Sequence, residues 1–136
     1  MDKIRFFIII LFLMIISGCA GMQNSSYDLS DGYSVMYTSA HQAKIIYDET
    51  GENTSGEIIV PAKVIRVNQD ENYIIAEQEK LDSDGKPNGT FTYFIEDKSN
   101  RSLEGARLTE DEFNRLKSEL GIELELLKVT EFPEID

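Results

Sequence analysis

From Tyr33 onward the apolar residues of this chain recur at every second position, and that period most restricts what it can fold into. Tyr33, Val35 and Tyr37 alternate with Ser34, Met36 and Thr38, and after Ser39-Ala40-His41 a second run alternates Ala43, Ile45 and Tyr47 with Lys44, Ile46 and Asp48. A period of two belongs to strands with one face toward a core, so these runs predict a first hairpin. Residues 49–57 read as a polar loop. Residues 58–60 are apolar but meet Pro61, which has no amide hydrogen to give a ladder, so they predict an edge strand or a bulge. Residues 62–67 and 73–79 read as two further strands around the polar connection 68–72. Residues 81–90 read as a loop turned by Asp84-Gly85 and Pro87-Asn88-Gly89. Residues 91–96 read as the strongest strand, with Phe91, Tyr93 and Ile95 on one face, and 101–104 as a short one.

The period then changes. Thr109 and Glu112 have the spacing of a capping box, and Leu108 and Phe113 that of a hydrophobic staple. Glu110, Asp111 and Glu112 suit the positive end of a helix dipole. Phe113, Leu116 and Leu120 form a stripe at helical spacing, and Gly121 stands where helices commonly end. Residues 122–126 alternate again and predict a last strand before a tail containing Pro133. Strands in sequence with one late helix predict an α+β fold, an antiparallel meander of about five to seven strands with the C-terminal helix packed on one face.

The first nineteen residues decide where such a domain acts. Asp2, Lys3 and Arg5 precede an unbroken apolar run over residues 6–16, shorter than the roughly 20 residues that span a bilayer. A cationic head, a compact apolar run and small residues after it read as an export signal. Ile16-Ser17-Gly18-Cys19 resembles the lipobox of bacterial lipoproteins. The resemblance implies cleavage between Gly18 and Cys19, a diacylglyceryl thioether on Cys19 and a palmitate-type chain on the new amino group. It places the protein on the extracytoplasmic side of the cell envelope, in the outer membrane if the cell has two, since Ala20 and not Asp follows the cysteine, and otherwise in the plasma membrane. Two acyl chains hold a protein lastingly where one does so only marginally. A secreted protein cut at another small residue, or an uncleaved signal anchor, are the alternatives.

The expected organisation is therefore a signal peptide over 1–18, the lipidated cysteine with a flexible tether over 19–31, and a single domain over 32–136. Cys19 is the only cysteine, so once it carries lipid no disulfide is possible and one hydrophobic core must hold the domain. The order Gly32-Tyr33-Ser34, Ser39-Ala40-His41 and Leu108-Thr109 with Glu112-Phe113, ending in Leu120-Gly121-Ile122, resembles small bacterial lipoproteins classed as a domain of unknown function. That resemblance brings no activity with it.

Loss of the leader takes the formal net charge from −12 to −13. Such a chain stays soluble, is repelled by anionic head groups and has no electrostatic route to nucleic acid. A charged partner should be basic. Residues 104–136 hold ten Asp or Glu against four Lys or Arg, and Glu110, Asp111, Glu123 and Glu125 are the candidate partner-binding residues.

Chemistry is thinly supplied. His41 is the only histidine and lies at a predicted turn; with Cys19 lipidated and no Gly-x-Ser-x-Gly elbow, neither a nucleophile nor a His/Cys metal site can be assembled. Asp82-x-Asp84-Gly85 is like the opening of a calcium loop but lacks the third oxygen ligand and the later glutamate. Carboxylates are many, and no pair is singled out as acid and base. The Asn-x-Ser/Thr patterns at Asn24, Asn53, Asn88 and Asn100 read as polar turns in a bacterial chain. Tyr33, Tyr37, Tyr47, Tyr73 and Tyr93 either line a groove for a basic or aromatic ligand or are half-buried sheet residues whose hydroxyls reach water. The expected function is a non-catalytic binding or interaction module of the envelope, without cofactor or metal. The alternatives are an inhibitor or immunity lipoprotein acting on a basic hydrolase or toxin, and a carboxylate-based hydrolase of envelope glycan.

Overall fold

The computed structural model describes residue 3 and residues 25–129, apart from 38, 40–41 and 53–55. The lipobox with Cys19, His41 and Pro133 lie outside the described residues. Within them the chain forms β1 (Ser25–Asp28), β2 (Tyr33–Tyr37), β3 (Ala43–Tyr47), β4 (Glu57–Val60), β5 (Val64–Gln69), β6 (Tyr73–Leu81), β7 (Pro87–Asp97), β8 (Ser102–Leu103), α1 (Glu110–Glu119) and β9 (Leu127–Lys128). All the strand pairings are antiparallel, in two sheets ordered β1-β2-β3-β4 and β8-β7-β6-β5-β9.

The class is α+β with one late helix on one face, as the patterning predicts. The strands divide into two sheets instead of running as one meander, and Pro61 marks the division. It follows directly on β4, the edge of the first sheet, and β5 begins in the second sheet with β6 and β9 as its neighbours.

Three layers result. Tyr33, Val35, Ile45 and Val60 of the first sheet meet Val64, Val67, Ile74, Ala76 and Phe94 of the second in one core. On the other face of the second sheet, Ile75, Tyr93 and Ile95 pack under Leu108, Phe113 and Ile122 in another. Alternate residues of β6 and β7 thus enter different cores, and the middle of both strands is buried on both faces. Phe91 shares the face of Tyr93 and Ile95 but is 47% exposed, and residues 88–90 before it are exposed too, because β7 runs on past the helix into a projecting hairpin.

Three sequence expectations are corrected. Residues 25–31 are not tether: β1 pairs with β2 along its whole length, and Tyr27 and Leu29 are buried. The turn over 30–32 has positive φ at Ser30, Asp31 and Gly32, and the Leu29 amide donates to the Tyr33 carbonyl at 2.9 Å across it. Gly32 has no substitute there, since a Cβ would stand 2.9 Å from the Asp48 carbonyl oxygen. The loop over 81–90 shrinks to 82–86, because proline is tolerated at the first residue of a strand and β7 starts at Pro87. Residues 122–126 belong to no strand and make no ladder. Their alternation is real burial, with Ile122, Leu124 and Leu126 packed on the helix side, while the ladder to β5 is made by Leu127 and Lys128.

The helix starts as its sequence dictates. Thr109 Oγ1 accepts from the Glu112 amide at 3.3 Å and the Glu112 carboxylate from the Thr109 amide at 2.8 Å, completing the capping box. Its buried contact is Phe113, with Leu116 and Leu120 half-buried beside it.

Candidate functional site

A cleft of about 510 Å³ opens between the two sheets, at the end where β2 finishes and β5 begins. Its walls are apolar: Tyr27 and Tyr37 from the first sheet with Ala43, and Val64, Ile65 and Val129 from the second. The Tyr37 hydroxyl donates to that of Tyr27 at 3.2 Å, with the rings 5.6 Å apart, so these two aromatics form one wall unit. Although the chain has 25 Asp and Glu, none of the described residues that line the cleft is acidic, while Lys63, Arg66 and Lys128 are basic. The size is that of a small-ligand site, for which apolar walls with a few polar groups are usual.

Arg66 is not available to that cleft as a cation. Its Nε donates to Glu77 Oε1 at 3.1 Å and its Nη2 to Glu77 Oε2, a fork that engages the buried Glu77 carboxylate. Arg66 also lines a second, smaller cleft of about 260 Å³ on the helix side, bordered by Tyr93, Glu110, Lys117 and Glu125. Tyr93 stacks on Phe113 at 5.0 Å, and burial together with the Glu77 carboxylate pushes its hydroxyl up to about 12. Glu110 and Glu125 are both exposed, so the second cleft offers two solvated carboxylates.

Lys98 and Glu96 are among the other charged residues that are buried. The Lys98 ammonium, in a side chain only 3% exposed, donates to the Leu29 carbonyl at 3.0 Å, to Gln69 Oε1 at 2.6 Å and to Ser30 Oγ at 3.3 Å, with Asp31 at 3.6 Å. It ties the β1–β2 turn to the second sheet, and burial lowers its pKa, partly offset by Asp31. Glu96 accepts from the Tyr33 hydroxyl at 2.9 Å between the sheets. Its own burial raises its pKa above the usual carboxylate range, against the Tyr33 hydrogen bond that lowers it.

The candidate residues scatter across the molecule. Glu110, Asp111, Glu123 and Glu125 are all exposed, but only Glu110 and Glu125 share a cleft. Asp82 Oδ1 accepts from the amides of Asp84 and Lys86 at 2.9 and 3.0 Å, closing a turn, and no group of three or more potential metal ligands occurs among the described residues. The tyrosines do not form one groove. Tyr33 and Tyr93 are buried, Tyr47 lies under the Arg101 guanidinium at 3.6 Å, and Tyr37 alone of the five lines the larger cleft. Tyr27, its partner, was missed because it falls within the expected tether. The signal was present in Tyr27-x-Leu29 alternation before Asp31-Gly32, a strong hairpin dipeptide. Lys63 and Lys128 carry no sequence signal, since only the meeting of two sheets brings them together.

No curated protein and no solved structure matches this chain. Residues 30–130, which take in β2 to β9 and the helix, match the family described as protein of unknown function (DUF3997), and the chain therefore belongs to that family.

Proposed function

We propose that this protein is an envelope lipoprotein, anchored by lipid on Cys19, whose two-sheet domain is a non-catalytic binding module. The apolar cleft between the sheets, with no acidic side chain among its described lining residues, is the observation that carries this reading. It is a preformed concave site, and among the described residues that line it none is arranged to activate a nucleophile or hold a proton for transfer. The position of the cleft agrees with anchoring. Ser25 pairs with Tyr37, which pairs in turn with Ala43, so the chain enters the first sheet at the same end as the cleft. Six residues at no more than about 3.3–3.6 Å each put Ser25 within roughly 20 Å of Cys19 by any path. Cells expressing the full chain and fed a palmitate analogue should label it, and Cys19→Ala should lose the label. Equal labelling of the two proteins overturns the anchor.

A further inference from the structure

We infer that the outer face of the first sheet is a docking surface for the chain's own leader: in the unprocessed protein the apolar run 6–16 lies along β2 and β3, and cleavage before Cys19 bares them. The second half of this inference rests on the anchoring reading, and the first half does not. Processing and exposure of the face are then one event.

The sheet is buried on a side that neither described core accounts for. Val35 and Ile45 enter the core between the sheets, so their neighbours Ser34, Met36 and Ile46 point away from it. Those three belong to neither core, yet Ser34 is 0%, Ile46 1% and Met36 8% exposed. Register places Asp28, Ser34, Ile46 and Ile58 in one row across all four strands, and the ends of that row, Asp28 and Ile58, are exposed while its middle is covered. The cover is therefore two strands wide, about 10 Å, which is the girth of one helix.

The chemistry of the cover is apolar. Ser34 Oγ is a buried side-chain oxygen with no hydrogen-bond partner among the described residues, as expected beneath hydrocarbon, which offers neither donor nor acceptor. Of the segments outside the described residues, 53–55 is short and polar, and 38 and 40–41 belong to the β2–β3 connection. Residues 130–136 carry three carboxylates and follow Val129, which lines the cleft on the opposite side of the sheet. The run 6–16 is wholly apolar, and its eleven residues make about 16 Å of helix, against about 17 Å for the five residues of β2. Lys3, just before it, is helical and exposed. The chain from Ile16 to Ser25 spans up to roughly 30 Å, enough to reverse and cross from the edge strand to β2 and β3.

The test uses the purified full chain with Cys19→Ala, which keeps residues 1–18 and has no other thiol. Met36→Cys is combined with Ile10→Cys, Leu11→Cys, Phe12→Cys or Leu13→Cys, four successive positions that cover every side of a helix. Under mild oxidation at least one pair should close an intramolecular disulfide, whereas the same four with Ser118→Cys, on the exposed side of α1, should not. Maleimide should label Met36→Cys at least about tenfold more slowly in the unprocessed chain than in the processed chain from cells with Cys19 intact, whose own thiol carries lipid. Ile58→Cys, at the exposed end of the row, replaces Met36→Cys in the disulfide test if that variant fails to fold. Disulfides formed equally with Ser118→Cys, disulfides with neither face residue, or a labelling rate that loss of residues 1–18 leaves unchanged overturns the inference. The intact mass of the chain with Cys19 reports processing. Leader-to-face disulfides in a protein whose mass still includes residues 1–18 leave the contact standing and overturn the anchor.

Discussion

Three oxygens, those of the Leu29 carbonyl, the Ser30 hydroxyl and the Gln69 amide, converge on the Lys98 ammonium at 2.6–3.3 Å, and a few residues away a tyrosine hydroxyl serves the opposite charge on Glu96. The two sites respond to pH in different ranges. Glu96 has a folded pKa above its ordinary 4.5, so between that value and the folded one the folded state keeps a proton the unfolded chain has lost. Stability from this group is therefore full below 4.5 and is lost as pH rises through the folded pKa, leaving Glu96 a net cost at neutral pH. We expect Glu96→Gln, which still accepts from Tyr33 and carries no charge, to be more stable than the wild type in urea at pH 7 and no more stable at pH 4. An equal difference at both pH values would remove Glu96 as the cause. Neither site was legible beforehand. Lys98 lay in a predicted turn and Glu96 at the end of a strand, where long charged side chains are ordinarily solvated, and burial of either depends on a second sheet that no local period announces.

The helix was the most legible element because its determinants are local: a cap, a staple, a stripe and a terminal glycine lie within about four turns. Thr109→Ala should cost about 1 kcal/mol through the lost cap, and Phe113→Ala about 3–5 kcal/mol through loss of the buried ring beneath Tyr93 and Leu108. Both are read from urea denaturation, and a Phe113→Ala cost no larger than that of Thr109→Ala would mean that the helix barely contributes to the core. Leu116, which the stripe placed at its centre, is half-buried and should cost less than Phe113. The strands were legible in kind but not in pairing. Alternation reports which side of a segment is buried, not whether its backbone joins a ladder, so 122–126 read as a strand when it is held by side-chain packing and by bonds such as that from Asn68 Nδ2 to the Glu125 carbonyl at 2.7 Å. The converse error fell on β1, where Gly, Ser, Asn and Asp before and after a four-residue strand suggested a tether while the alternation of Tyr27 and Leu29 was too short to outweigh them.

For the whole molecule, the correction at β1 moves the boundary of the domain. A chain begun at Ser25 should unfold cooperatively on heating, whereas one begun at Gly32 loses an edge strand together with the buried Tyr27 and Leu29 and leaves the Lys98 ammonium without the Leu29 carbonyl. We expect the shorter chain to melt at least about 10 °C lower, each kcal/mol lost being worth roughly 4–8 °C in a domain of this size. Equal melting of the two chains would return residues 25–31 to the tether. The larger cleft was invisible in the sequence for a related reason, since it belongs to the gap between two sheets and to no element of either. The pairing of β1 also has a mechanical side. An anchored protein is pulled from its N-terminus, and tension arriving at Ser25 meets the β1–β2 ladder at its Tyr37 end, where the pairs separate in succession until the strand reaches the turn held by Lys98. The second of those residues past Ser25 is Tyr27, half of the aromatic wall of the cleft. A load applied at Ser25, as the proposed anchor would apply it, therefore opens the cleft while the second sheet is still whole, to be seen as a low-force opening step in a stretching experiment.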